Sequence, residues 1–276
     1  MSLPSPEYAA QFEAWRRRRI ERLVGEDGWL TLMGFYWLSE GDNPVGADPA
    51  SAVVLPAGTP EHSGSIRVEG GRALYQPEGE AIPTADGRPV IDPMALRSDV
   101  ADEPTVLEFG SVRFHVVERG GRLAVRVRDR GNPARRTLRP IPAFPLDPAW
   151  RFEARFERYD PPRRLPFVSV LGTVEPEISP GAVVFEAAGR PLRLDPILER
   201  GETDYWIVFG DLTNGQETYA GGRFVYVPPP SGGRTILDFN RAYNPPCVFT
   251  PHSTCPLPPP QNRLPIRVEA GEKTYL

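Results

Sequence analysis

Apolar and polar positions alternate with a period of two along most of this chain, and the alternation predicts strands. It is cleanest in A-W-R-F-E-A-R-F-E-R-Y (residues 149–159) and recurs in R-L-A-V-R-V-R-D (122–129), A-V-V-F-E-A (182–187) and P-L-R-L-D-P-I (191–197). Two further runs, G-S-I-R-V-E-G-G-R-A-L-Y-Q (64–76) and residues 98–118 with 122–129 around Gly120 and Gly121, predict tight hairpins. A glycine pair supplies the positive φ angles that a two-residue hairpin turn needs. Residues 204–227 read as two more strands joined by a polar, Gly-rich turn.

One segment breaks the alternation. Residues 4–25 predict a helix, with Ser5 as cap, Pro6 in the first turn and Glu7 at the positive end of the dipole. Tyr8, Phe12, Trp15, Ile20 and Leu23 mark its apolar face, and the run Arg16–Arg19 reads as a solvated face with Glu13 and Glu21 as partners. Residues 27–40, rich in Trp29, Phe35, Tyr36 and Trp37, read as a core segment. The fold class is therefore mainly β: an N-terminal helix followed by antiparallel β-sandwich or barrel units. Three parts are expected: 1–40, the helix and aromatic segment; 41–138, a sandwich-like unit; and 139–276, a second β unit with a Pro-rich C-terminal clamp.

Composition supports this and narrows the function. Thirty-four prolines argue against a mainly helical chain. A net charge of −4 gives no electrostatic reason to expect nucleic acid, and no apolar run reaches membrane-spanning length. The N-terminus lacks a secretory layout, and two cysteines without one predict a cytoplasmic protein with reduced thiols. The alternative is a disulfide closing the short loop between Cys247 and Cys255.

Chemistry-bearing residues concentrate in T-I-L-D-F-N-R-A-Y-N-P-P-C (235–247) and just beyond it. Asp238, Asn240, Arg241, Tyr243 and Asn244 follow a strand-like run, where a rigid element gives way to a loop. The preceding hairpin offers Glu217 and Arg223. If the two segments are neighbours, Glu217 and Asp238 are candidates for proton transfer, Arg135, Arg223 and Arg241 for holding an anion, and Asn240 and Asn244 for orienting it. Arg135 enters because it lies in D-R-G-N-P-A-R-R, directly after a strand end. Carboxylates beside an arginine are equally a structural ion-pair network.

Cys247, with His252 as base and Asn240 or Asn244 as orienting group, is a candidate nucleophile. The set Cys247, His252 and Cys255 has zinc-ligand chemistry, and Asp238 or His115 could close it as fourth ligand, but nothing in the spacing requires this and no metal or other cofactor is expected. The leading expectation is a site for a small polar or anionic ligand, with hydrolase-type acid/base chemistry as an extension of it. The rival is a non-catalytic interaction module that holds a protein partner or a second copy as a homodimer.

Two resemblances add to this reading. G-D-N-P-V-G-A-D-P, A-V-V-L-P, S-G-S-I-R-V and A-D-G-R-P-V, within residues 37–117, resemble the strand order of a forkhead-associated domain, a β-sandwich that binds phosphothreonine peptides. The arginine that family places after the first strand's glycine is Ala47 here, following Gly46, and only Thr59, His62 and Ser63 stand near its serine and histidine. That resemblance implies a sandwich rather than phosphopeptide binding.

G-W-L-T-L-M-G-F-Y-W-L, G-D-L-T-N-G-Q-E-T-Y-A-G-G-R-F and D-F-N-R-A-Y-N-P-P-C with the following C-P-L-P-P-P-Q-N-R-L-P-I-R-V-E-A-G-E-K resemble, over nearly the whole chain, the uncharacterised prokaryotic family known as domain of unknown function 1684. The resemblance extends to the paired cysteines and to Asn262–Leu264, with Gln261 where members often have Glu. It implies a shared site around these residues and no particular reaction.

Overall fold

The computed structural model describes residues 3–199 and 201–275. The chain is mainly β, with one N-terminal helix and several antiparallel sheets, as the alternation predicts. Helix α1 spans Pro6–Val24, and the Ser5 hydroxyl accepts the Tyr8 N–H at 3.2 Å. No helix among the described residues is long and apolar enough to cross a membrane. The chain divides into two compact units, residues 21–138 and residues 1–20 with 139–276. The expected 1–40 segment does not stand by itself, because its two halves belong to different units.

In the unit of residues 21–138, the strands are β1 (Leu32–Trp37), β2 (Gly41–Gly46), β3 (Val53–Val54), β4 (Gly64–Glu69), β5 (Arg72–Pro77) and β6 (Thr84–Ala85). They are followed by β7 (Arg88–Pro89), β8 (Met94–Leu96), β9 (Val106–Phe109), β10 (Val112–Arg119) and β11 (Arg122–Asp129). One sheet has the order β1-β11-β10-β9-β6-β7, the other β3-β2-β4-β5-β8. Both feed one core that includes Val45, Ile66 and Tyr75 from the second sheet and Phe114, Val125 and Val127 from the first. The β4–β5 and β10–β11 hairpins turn through Gly70–Gly71 and Gly120–Gly121, all four at positive φ. The segment expected as an aromatic core buries its aliphatics, Leu30, Leu32 and Leu38, while Phe35, Tyr36 and Trp37 are half-buried on β1.

In the other unit the strands are β12 (Arg151–Val168), β13 (Val174–Ala187), β14 (Arg190–Leu194), β15 (Tyr205–Phe209), β16 (Arg223–Val227) and β17 (Arg234–Asp238). They form a four-stranded sheet, β14-β13-β12-β17, and a β15–β16 pair around a shared core. The expected last strand is not hydrogen-bonded as one, yet it keeps its alternation: Leu264, Ile266, Val268 and Ala270 all point into that core. The segment is held along the end of β15, where the Gly210 carbonyl accepts from Leu264 at 2.7 Å and the Ile266 carbonyl from Leu212 at 2.9 Å.

His115 lies on β10 opposite Arg126 of β11. Burial, reinforced by Arg126 and Arg128, pushes its imidazole down from 6.5 to about 4. Above pH 6.5 the ring is neutral both folded and unfolded. Between that pH and about 4 the unfolded chain takes up a proton that the folded chain refuses, so stability falls as pH falls. Replacing His115 by Gln should flatten the stability profile in this window, by at most about 1.4 kcal/mol per pH unit. Urea unfolding at a series of pH values checks this, and an unchanged slope would refute it.

Candidate functional site

Helix α1 presents Tyr8, Phe12, Trp15 and Arg19 at successive spacings of four, three and four residues, which places them on one face. The two polar ends of this stripe are held by the 235–247 region and its C-terminal continuation. At one end the Tyr8 hydroxyl donates to both carboxylate oxygens of Asp238, at 2.9 and 3.0 Å. The Asn240 amide donates to the Tyr8 oxygen at 3.0 Å, to the Asp147 carbonyl at 2.9 Å and to Asp238 at 3.1 Å. Burial and the Asp238 carboxylate push the Tyr8 phenol well above its ordinary range, so it stays protonated and remains the donor.

At the other end Arg19 pairs with Glu272, Nε to Oε1 at 3.3 Å, with both side chains more than nine-tenths buried. Arg19 also donates to the Asn244 carbonyl at 2.9 Å, and the Asn244 N–H donates to the second Glu272 oxygen at 2.7 Å. The guanidinium lies 4.7 Å from the Tyr243 ring centroid and 5.8 Å from that of Phe249. The run Arg16–Arg19, expected as a solvated face, is therefore split. Arg16 is about half exposed beside Glu13, whereas Arg19 turns inward because it shares the helical phase of Tyr8, Phe12 and Trp15.

Between the two anchors lies a cavity of about 250 Å³. Phe12, Trp15, Ile20, Pro140, Ile141 and Ala143 give it apolar walls; Arg16, Arg19, Asn240 and Glu272 are its polar groups. Gly271 also lines it, at φ +78°, and an added Cβ there would lie 2.5 Å from the Ala242 carbonyl oxygen. Only glycine allows the backbone to pass so close.

The candidate residues are distributed as follows. Asn240 lines the cavity; Asp238, 3.3 Å from Arg241, receives the helix beside it. Tyr243 and Asn244 hold Arg19. Arg223 is fully buried, donating to Asp211 at 2.8 Å and to the carbonyls of Val268 and Ala270. Burial pulls its guanidinium down, and Asp211 opposes that shift. Glu217 is half-exposed between Arg267 and Lys273. Arg135 belongs to the 21–138 unit, where it donates to the carbonyls of Val24 and Arg130. The imagined grouping of Glu217, Arg223, Asp238 and Asn240 is thus served by three separate partner sets.

The expectation of reduced thiols is corrected. Cys247 and Cys255 form a disulfide with Cα atoms 6.3 Å apart, within bridging range, because the Pro245–Pro246 turn folds the loop back. Cys247 therefore carries no free thiolate for nucleophilic attack, and its sulfur is not available to zinc. Burial lowers the His252 pKa. Among the described residues no group of three or more His, Cys, Asp or Glu is arranged to hold a metal ion.

A model of the family described as protein of unknown function (DUF1684) matches residues 136–273, half of the chain, and the chain belongs to that family. No curated protein matches it. Among solved structures it is similar to the solution NMR structure of the uncharacterized protein from gene locus rrnAC0354 of Haloarcula marismortui. That similarity has 29% identity and a TM-score of 0.43, and covers 51% of this chain and 80% of that one. A structure titled Rv0020c FHA is similar at 23% identity and a TM-score of 0.23, covering 34% of this chain and 78% of that one.

The buried Arg223–Asp211 pair and the surface Glu217 cluster should respond very differently to mutation. Arg223→Ala strands the fully buried Asp211 carboxylate and should cost roughly 3–5 kcal/mol of unfolding free energy. Glu217→Gln alters a half-exposed cluster and should cost less than about 1 kcal/mol. Urea denaturation of both variants checks this; equal losses would contradict the assignment.

Proposed function

We propose that this protein binds a small amphipathic anion, its apolar body in the cavity under α1 and its charged end at Arg16. The cavity itself carries the reading. Concave, mostly apolar sites with a few polar groups are the usual form of small-molecule sites. An apolar cavity of about 150 Å³ holds benzene, so about 250 Å³ leaves room for one ring and a short chain. The Arg19–Glu272 pair and Asn240 are already engaged with protein partners, whereas Arg16 stands about half exposed and pairs with the surface residue Glu13. Binding is favoured over acid/base chemistry because Glu217 and Asp238 answer to different partners.

Calorimetric titration with 3-phenylpropionate tests the proposal, with 3-phenylpropan-1-ol as the uncharged control. The acid should bind more tightly than the alcohol. Arg16→Gln should weaken the acid roughly two- to fivefold, as expected for a half-exposed ion pair, and leave the alcohol unchanged. Ala143→Trp, at an exposed position of the rim, should abolish binding of both. Absence of binding up to millimolar concentrations, or unaltered affinity in Ala143→Trp, would overturn the reading.

A second reading, self-association, is favoured by one observation. Val168, Val174 and Ile178 are exposed together on the distal β12–β13 ribbon, where Val168 stands opposite Val174. Light scattering that shows a dimer, converted to monomer by Val174→Glu, would support it; a monomer at high concentration would remove it.

A further inference from the structure

The loop closed by Cys247 and Cys255 lies next to the helix anchor in both sequence and space. Asn244, whose carbonyl accepts from Arg19, precedes Cys247 by three residues, two of them prolines that transmit displacement stiffly. Phe249, two residues after Cys247, places its ring near the Arg19 guanidinium and 5.2 Å from the Tyr275 ring. The other half of the disulfide is fixed elsewhere. The Cys255 carbonyl accepts from Val170 at 2.9 Å, and Leu257 donates to the Val168 carbonyl at 2.8 Å, which ties this strand of the loop to the end of β12. The sulfur bridge is thus a covalent link from the sheet to the segment that grips Arg19. Within the 246–253 turn, Phe249 and Thr250 donate to the Pro246 carbonyl and the Ser253 hydroxyl to that of Thr250.

We propose that the Cys247–Cys255 disulfide sets how firmly α1 is held over the cavity, so that a dithiol reductant loosens the helix and weakens ligand binding. The effect on binding rests on the reading of the cavity given above; the effect on the helix does not. A thiolate of the reductant attacks the half-buried Cys247 sulfur, the S–S bond breaks, and the buried Cys255 leaves as a thiolate that takes a proton from solvent. The second thiol of the reductant then attacks the mixed disulfide, releases Cys247 and closes the reductant's own disulfide. Two electrons pass from the dithiol to the protein. The internal turn bonds and the Asn244–Glu272 contact remain, so the response is graded rather than an unfolding.

The test uses the full chain, oxidised and dithiothreitol-reduced, with intact mass confirming the gain of two hydrogens. Hydrogen exchange should accelerate severalfold across residues 8–20 on reduction and stay unchanged in the β10–β11 hairpin. The dissociation constant for 3-phenylpropionate should rise about fivefold, a typical coupling between sites. Cys247→Ser, at the less buried position, should behave as the reduced protein and ignore dithiothreitol.

Unchanged exchange in α1 after confirmed reduction, or two thiols that persist after oxidant treatment, would overturn the proposal. Equal affinity in both redox states overturns control of binding whatever the exchange shows. Faster α1 exchange with no binding in either state leaves the switch standing and removes the ligand reading. Equal binding with unchanged exchange does the reverse.

Discussion

The arrangement around the cavity depends on taking two charges, Arg19 and Glu272, out of water together. Withdrawing each ion costs several kcal/mol, and their mutual attraction offsets this only when the remaining donors and acceptors are also engaged. That condition dictates the geometry of three segments that are far apart in sequence. The Asn244 carbonyl must face the guanidinium while its N–H faces the carboxylate, which fixes the backbone just before the cysteine loop. Tyr243 must lie under the guanidinium face. Glu272 must follow a residue that lets the chain pass close to Ala242, and Gly271 meets that need at φ +78°. A helix residue, a turn and a C-terminal segment are each shaped by one pair.

The same pair explains why a cavity persists beneath the helix. Phe12 and Trp15 stack with ring centroids 5.7 Å apart and face Ile141 across the space. Dispersion favours closing such a void, since its lining atoms lack partners on one side. Closing it would draw α1 inward and stretch the contacts at both ends, Tyr8 to Asp238 and Arg19 to Glu272. Hydrogen bonds are directional, and separating the buried pair would strand a charge. The anchors therefore hold the helix at a set height. A cavity maintained in this way gives up packing energy.

Much of the fold could be read from the chain because its signals are local. Period-two alternation marks strands, and paired glycines mark hairpins at Gly70 and Gly120. Ser5 with Pro6 marks the helix start. The crowding of Asp238, Asn240, Tyr243 and Asn244 into one segment was also readable, but what they contact was not. Their partners lie on α1, more than two hundred residues away, and nothing local announces that a strand end will receive a helix. Arg19 was hidden behind three identical neighbours. The usable signal was phase: it continues the face of Tyr8, Phe12 and Trp15, whereas Arg17 and Arg18 do not and Arg16, one turn after Phe12, lies at its exposed edge. The disulfide was legible only as an alternative, for another reason. Two cysteines eight residues apart can bridge only if the backbone between them turns back, and only the three-dimensional path shows that it does.

The second buried ion pair clarifies how the first can exist. Asp211 accepts from the Thr213 N–H at 2.8 Å, the Thr213 hydroxyl at 2.6 Å and the Val268 N–H at 3.1 Å, while Arg223 donates to the carbonyls of Val268 and Ala270. Together they fix residues 268–270, a stretch that has no strand ladder to hold it and would otherwise present unpaired backbone groups to the core. Glu272 stands two residues beyond. A carboxylate makes well-aligned hydrogen bonds to a buried guanidinium only if its own backbone is already placed, and an imperfectly paired buried charge is costly. The Arg223–Asp211 pair supplies that placement from the β15–β16 side, and the Arg19–Glu272 pair uses it from the helix side. The two pairs act in series, and this gives Arg223 a clear role although it lies outside the cavity lining: it sets the rail on which the polar end of the site is mounted.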